Sequence, residues 1–249
     1  MFQGFYNLAS GMLTQTRKLN VISNNMANVT TPGFKTEAFT QRTFHDELMY
    51  REGNMENREP QPIGTLTWKV VPDGNVVDYS NGGFSITESP LDICIMGDGF
   101  FQIDTGTGMV YTRNGSFSLD DEGYLYLSGA GRVQGVDGDI FLMTDKIAVD
   151  DDGTIIDENT GQYLGKIRIA DFMNYETDLE KTAGNVFTAN GEPVYVQTTV
   201  RNKCLEDSNV DAIAEMTEMM VSQRALQSAA QVLQMYDKLA SKITEIGPT

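Results

Sequence analysis

Residues 225–246 read ALQSAAQVLQMYDKLASKITEI, and the apolar positions Ala225, Ala229, Val232, Tyr236, Leu239, Ile243 and Ile246 follow one another in alternating steps of four and three. That spacing is the seam of a coiled coil. Upstream, Ser208-Asn209 before Val210 and Asp211 reads as an N-cap with an acidic first turn, and Gly247-Pro248 supplies a stop, so a helix is predicted over about 209–246. At 1.5 Å per residue it would be about 55 Å long. A rod of that length outruns the cover one small domain provides. It calls for a partner helix from the other end of the chain, from a neighbouring copy, or from both.

The other end carries a matching stripe. Phe5, Leu8, Met12, Leu19, Ile22 and Met26 recur at helical spacing, while Gln15, Arg17, Lys18, Asn20 and Asn24 occupy the opposite face. This first helix should stop near Asn28, because Asn tolerates the left-handed conformation and Thr30-Thr31-Pro32-Gly33 forbids continuation. Asn24, Asn25 and Asn28 offer amides that donate and accept at once, suited to backbone groups left open where a helix ends. A local cap and a contact between subunits both remain open for them.

Between the helices the rhythm changes. Phe34 to Arg42 reads as extended, and residues 50–64 as a polar, proline-marked loop or linker. Turn signals then punctuate short apolar runs: Asp73-Gly74, Asn81-Gly82-Gly83, Asp98-Gly99, Asn114-Gly115, Glu122-Gly123, Gly138-Asp139 and Asp152-Gly153. The expected class is α+β: N- and C-terminal helices forming a coiled coil around a central all-β domain of short hairpins, an irregular barrel or sandwich. The expected divisions are 1–35 for the first helix and its Asn-rich turn, 36–68 for the extended segment and loop, 69–203 for the β-domain, and 204–249 for the last helix.

Composition narrows the function. With 249 residues and 40% hydrophobic content the chain can build a real core. A net charge of -17, from 35 acids against 18 bases, repels phosphate backbones and argues against nucleic acid. Residues 1–45 are mildly basic against this acidic background, as a docking arm would be. No stretch of about 18 apolar residues exists to cross a membrane, and the N-terminus lacks the pattern of a cleaved signal peptide.

The machinery of an enzyme is thin. His45 is the one histidine, beside Asp46 and Glu47, and reads as a surface residue. Gly97-Asp98-Gly99 lacks the third glycine of a dinucleotide loop and the Lys-Ser/Thr of a P-loop. Asp150-Asp151-Asp152-Gly153 fails the calcium-loop pattern at Ala148 and Asn159 and reads as a hairpin turn. Cys94 and Cys204, with no CxxC partner or nearby histidine, read as buried free thiols. No metal, cofactor or catalytic residue is expected. A wall-lytic hydrolase built on two of the carboxylates is the enzymatic alternative.

One run goes further. Ser23-Asn24-Asn25-Met26-Ala27-Asn28-Val29-Thr30-Thr31-Pro32-Gly33-Phe34-Lys35 closely resembles the N-terminal motif of the bacterial flagellar axial proteins, the rod and hook family. Asn24, Asn25, Ala27, Asn28, Thr31, Gly33, Phe34 and Lys35 carry the match. Leu91 to Phe101 with Tyr111-Thr112-Arg113-Asn114-Gly115-Ser116-Phe117, and Leu205 to Asp211, resemble the same family in the same order. Lys203-Cys204 departs from the family's usual glycine and aromatic, and the 50–64 region is its own.

The resemblance implies a structural rod subunit that assembles helically with copies of itself and with other rod and hook subunits around a channel. It implies passage through the flagellar type III export apparatus, location in the basal body, torque transmission and no catalysis. The distal rod is favoured over the proximal rod, with an adaptor or cap as a further alternative. The subunit interface is then expected at Phe5, Leu8, Met12, Leu19, Ile22, Met26, Val232, Tyr236, Leu239 and Ile243.

Overall fold

Apolar periodicity of the two terminal stretches is realised as helix: Phe2–Ala27 forms the first and Ala212–Ile246 the last in a computed structural model that describes residues 2–51, 61–182 and 185–246. The first helix gives way to a turn in which the Thr31 N–H donates to the Asn28 carbonyl and the Phe34 N–H to the Thr31 carbonyl. The last helix starts at Ala212 and not at Asn209. The Asn209 amide is committed elsewhere, as described below, so it does not cap the helix.

Two compact units organise the chain. One gathers residues 1–26, 37–76 and 212–249, and the other residues 27–36 and 77–211. In the first unit the helices run antiparallel, because rising numbers on one meet falling numbers on the other. Asn25 Nδ2 lies 2.8 Å from Glu215 Oε1, Lys18 Nζ lies 2.5 Å from Glu218 Oε1, and a Cβ on Gly4 would stand 3.2 Å from the Tyr236 hydroxyl. The less exposed side of the last helix carries Glu215, Met219, Ser222, Leu226, Ala229 and Leu233. These also step by fours and threes, so the covered seam is shifted by about one residue from the Ala225, Val232, Leu239 stripe read in the sequence.

The same unit holds two long strands, Glu37–Arg51 and Gln61–Val77, paired with each other. Three contacts set them antiparallel: Asn75 Nδ2 donates to Glu37 Oε2 at 2.8 Å, Thr40 Oγ1 to the Gly74 carbonyl at 2.8 Å, and Arg42 Nε sits 3.1 Å from Asp73 Oδ1. Asp73-Gly74 is therefore a stretch of strand and not a hairpin turn. Its glycine is outside the left-handed region, where a tight turn of this kind would place it. Of the loop expected at 50–64, residues 50, 51 and 61–64 are strand, and 52–60 lie outside the described residues. The boundary expected at 68/69 falls inside the second strand. The side chains of His45 and Ile243 also lie outside the described part.

The second unit is the β-body. Its main sheet has the order Leu179–Thr182, Val186–Ala189, Met109–Thr112, Phe100–Asp104, Gly131–Gly135, Leu125–Leu127, Ser118–Leu119 along its principal path. Alternation along the strands feeds two cores. Phe101, Ile103, Val110, Val186 and Ile169 face one, with Leu125, Leu142 and Ile155. Phe100, Tyr111, Phe187 and Ala170 face the other, with Phe172 and Leu179. A sheet buried on both faces explains why Phe100-Phe101-Gln102-Ile103 lacks a polar alternate that reaches solvent.

Glu122-Gly123 and Asp152-Gly153 are the turns expected of them. Gly123 and Gly153 have φ of 87° and 81°, and the Gly153 N–H donates to the Asp150 carbonyl. Gly115 serves a different purpose: a Cβ there would lie 1.6 Å from the Ile93 carbonyl oxygen, so it permits strand-to-strand contact.

Phe101, fully buried and edge-on to Phe117 at 5.0 Å between ring centroids, is the point on which the larger core turns. Phe101→Ala should lower the urea-unfolding free energy of the β-body by about 3–5 kcal/mol. Denaturation followed by near-ultraviolet circular dichroism measures it.

Candidate functional site

The segment after the first helix belongs with the β-body and brings its motif residues into one cluster. Gly33 comes first because its backbone must lie against another chain segment: φ is 64°, and a Cβ would stand 2.3 Å from the Arg113 carbonyl carbon. Its N–H donates to the Glu206 carbonyl at 2.7 Å. Glycine is the residue that meets both demands.

Phe34 follows, buried, with Lys181 Nζ 3.9 Å from its ring centroid. The same ammonium donates to the Lys35 carbonyl at 2.8 Å. The Pro32 carbonyl accepts from Asn185 Nδ2 at 3.1 Å, and Asn185 itself sits in the left-handed region at φ 63°.

Lys35 occupies the centre. Its side chain is 1% exposed, and its Nζ donates to Glu206 Oε1 at 2.6 Å and to the Ser80 carbonyl at 2.8 Å. Glu206, equally buried, also accepts from Arg113 Nη1 at 3.3 Å through Oε2 and from the Gly82 N–H at 3.2 Å through Oε1. Arg113 in turn lies over the Phe100 ring, 5.2 Å from its centroid. One carboxylate thus faces two buried cations.

Burial drives the Lys35 ammonium below the usual lysine value. Glu206 opposes that shift by Coulomb attraction and hydrogen bonding, while Arg113 adds to it. The unfolded chain therefore binds more protons than the folded one in the alkaline window below pH 10.5. Stability supplied through Lys35 rises with pH there.

Asn209 completes the join. Its Oδ1 accepts from the Thr36 N–H and from Thr36 Oγ1, both at 2.7 Å, and its Nδ2 donates to the Asp78 and Ser80 carbonyls at 2.9 and 3.1 Å. The Asn209 N–H reaches the Phe34 carbonyl at 3.3 Å. Thr36, which leads into the long strands, and Asn209, which leads toward the last helix, are clipped together.

The Asn-rich run divides its work. Asn25 is buried in the helical unit, where its Oδ1 accepts from the Glu37 N–H at 3.1 Å and its Nδ2 donates to the Glu37 carbonyl at 2.9 Å. Asn28 Oδ1 accepts from Thr31 Oγ1 at 3.2 Å. Asn24 and Ala27 are exposed. Among the helix positions, Ile22 is buried, and Leu8, Met12, Leu19, Met26 and Val232 are half-buried. Phe5, Tyr236 and Leu239 are exposed at 41%, 37% and 58%.

Of this cluster, Gly33, Phe34 and Lys35 were singled out from the sequence. Arg113, Glu206 and Asn209 lie in the family-like runs with no role in this cluster legible there, and Ser80, Lys181 and Asn185 carry no signal for this site. This arrangement defines a β-body on which the segment after the first helix and the segment before the last are joined.

Comparison with known proteins gives the class its family. The family model described as "Flagella basal body rod protein" matches residues 5–35. "Flagellar hook protein FlgE/F/G D1 domain" matches 94–160, and "Flagellar basal body rod FlgEFG protein C-terminal" matches 201–246. The chain is 33% identical to the flagellar basal-body rod protein FlgG of Bacillus subtilis, with 99% of each chain covered. It is 30% identical to the FlgG of Caulobacter vibrioides, over 98% of this chain and 99% of the relative. With the FlgF of the same bacterium it shares 27% over 98% of each. The chain belongs to the flagellar rod and hook axial family, whose members are structural and not enzymes.

Charge accounting gives an ordered prediction for the cluster. Lys35→Met leaves a neutral Arg113–Glu206 pair, whereas Glu206→Gln leaves two buried cations unopposed and should cost more, about 3–5 kcal/mol. The double variant should lose less than the two singles added together. Equal costs for the two single variants in chemical denaturation would refute this charge assignment.

Proposed function

We propose that this chain is a subunit of the flagellar basal-body rod, of the distal type, that packs helically with copies of itself and with other rod and hook subunits. The basal body is its place, and its role is structural: a hollow shaft that transmits torque and conducts exported subunits. Delivery runs through the flagellar type III export apparatus. In the assembled shaft the terminal helices form the coiled-coil layer, with contacts through Phe5, Leu8, Met12, Leu19, Ile22, Met26, Val232, Tyr236, Leu239 and Ile243.

The observation that carries this reading is apolar surface left exposed along the last helix. Gly4, near the start of the first helix, stands opposite Tyr236, yet the last helix continues to Ile246. Leu239 on that overhang is 58% exposed, and Ile213, Met216, Met220, Val221 and Met235 are exposed along the same helix. Exposed apolar side chains gathered on one helix support a role as a subunit contact. Support also comes from the full-length relatives named as rod proteins.

Leu239→Asp is the direct test, since it places a charge in the proposed contact without touching the β-body. Incorporation into basal bodies and swimming should be lost, while the β-body's unfolding free energy shifts by less than about 0.5 kcal/mol. Undiminished swimming counts against the proposal. Sedimentation of the wild-type chain should give species that grow with concentration. A small oligomer of fixed size would instead identify an adaptor or cap.

A further inference from the structure

Both thiols of the chain are enclosed in the β-body: Cys94 is 0% and Cys204 3% exposed, and neither is bonded. Cys94 lies at the middle of strand Ile93–Ile95, which pairs with Val200–Asn202 so that Arg201 stands opposite Cys94. Lys203 then interrupts that ladder. Its φ of 54° is a left-handed conformation that a lysine rarely adopts. Past this kink, Cys204 begins the strand that pairs with Phe84–Ile86, and its N–H still turns back to the Asp92 carbonyl at 3.4 Å. Two ladders meet at this point, and the bond to Asp92 sets Cys204 across the ladder only two residues along from Cys94.

We propose that Cys94 and Cys204 are a modification site: a buried dithiol that closes to an intrachain disulfide when the chain folds in the presence of a small-molecule disulfide. One cysteine thiolate attacks the oxidant, which leaves as one thiolate, and a mixed disulfide forms. The second cysteine thiolate attacks that mixed disulfide at the protein sulfur and releases the other half. The two cysteines lose two electrons, the oxidant gains them, and the cysteine protons end on the two small thiols released.

Timing follows from burial. In the folded body the Cys94 thiol is pushed up to about 12, first by burial and then by Cys204, so little thiolate is present to react. In the unfolded chain both thiols are ordinary and accessible. The bond is therefore made during folding, and the closed body protects whichever state it folded in. The ring would enclose the whole stretch from 94 to 204, a long loop whose closure restricts the unfolded ensemble strongly. This inference does not rest on how the subunit assembles.

The full chain, unfolded in denaturant, is refolded with a reduced and oxidised glutathione couple and with reduced glutathione alone. Oxidative refolding should give a product lighter by two hydrogens, no maleimide-reactive thiol after denaturation, and a Cys94–Cys204 linked peptide on non-reducing digestion. Its thermal midpoint should be several degrees above that of the reduced protein. Oxidised glutathione added to chain already folded should react at least about tenfold more slowly. Cys204→Ser should arrest at a glutathione adduct on Cys94, although the peptide map of the unaltered chain decides without it. Two free thiols after oxidative refolding, persistent adducts on the unaltered chain, or a disulfide between chains would each overturn the proposal.

Discussion

A carboxylate removed from water and set against two cations is the constraint around which the β-body's closure is arranged. Glu206 cannot be buried alone, since an unpaired buried charge costs several kcal/mol. Lys35 and Arg113 together neutralise it and leave one positive charge in excess. Hydrogen bonds to the Ser80 carbonyl and from the Gly82 N–H add to the ion pairs of Lys35 and Glu206. The cluster is thus complete only when segments from the start, middle and end of the chain are all in place. It gives no large stabilisation over an apolar core of the same volume, but it discriminates against any arrangement in which one of the three is missing.

That requirement explains the local chemistry of residues 28–36. The first helix stops because the chain is used as an extended strap, with Gly33 against Arg113 and Phe34 covered by Lys181. Propensity alone would end a helix at Thr30-Thr31-Pro32. The tight approach at Gly33 and the positive φ make the path after that stop specific. Asn209 then holds Thr36 through two bonds to a single oxygen, so the outgoing and returning segments leave the β-body side by side.

Periodic features were legible in the sequence, and long-range polar ones were not. Helix existence follows from apolar spacing that any 3.6-residue repeat must obey, and Glu122-Gly123 and Asp152-Gly153 follow from local turn chemistry. Asp73-Gly74 has the same composition but lies in a paired strand, because pairing with Thr40 overrides the dipeptide's preference. Asn209 looks like a cap for equally local reasons, yet its amide is taken by Thr36, Asp78 and Ser80. The ionic cluster joins residues 171 and 93 positions apart, Lys35 and Arg113 each with Glu206, and no short-range rule encodes such pairs. Motif resemblance marked all three neighbourhoods without saying that they meet.

The one-residue shift between the stripe read in the last helix and the seam it covers has a physical reading. An antiparallel partner of 26 residues is shorter than a helix of 35, and Gly4 near its start already stands opposite Tyr236. Along the shared length, Met219, Ser222, Leu226, Ala229 and Leu233 face the partner. Small residues such as Ser222 and Ala229 suit a close approach of two backbones. Past Tyr236 the last helix continues to Ile246, and Leu239 there is 58% exposed. The helix therefore presents a less exposed seam and, beside it, exposed apolar side chains such as Met216, Met220, Met235 and Leu239. Since exposed Met, Val and Leu side chains favour association in water at about 25 cal/mol for each Å² removed from solvent, these positions gain from being covered by a neighbour.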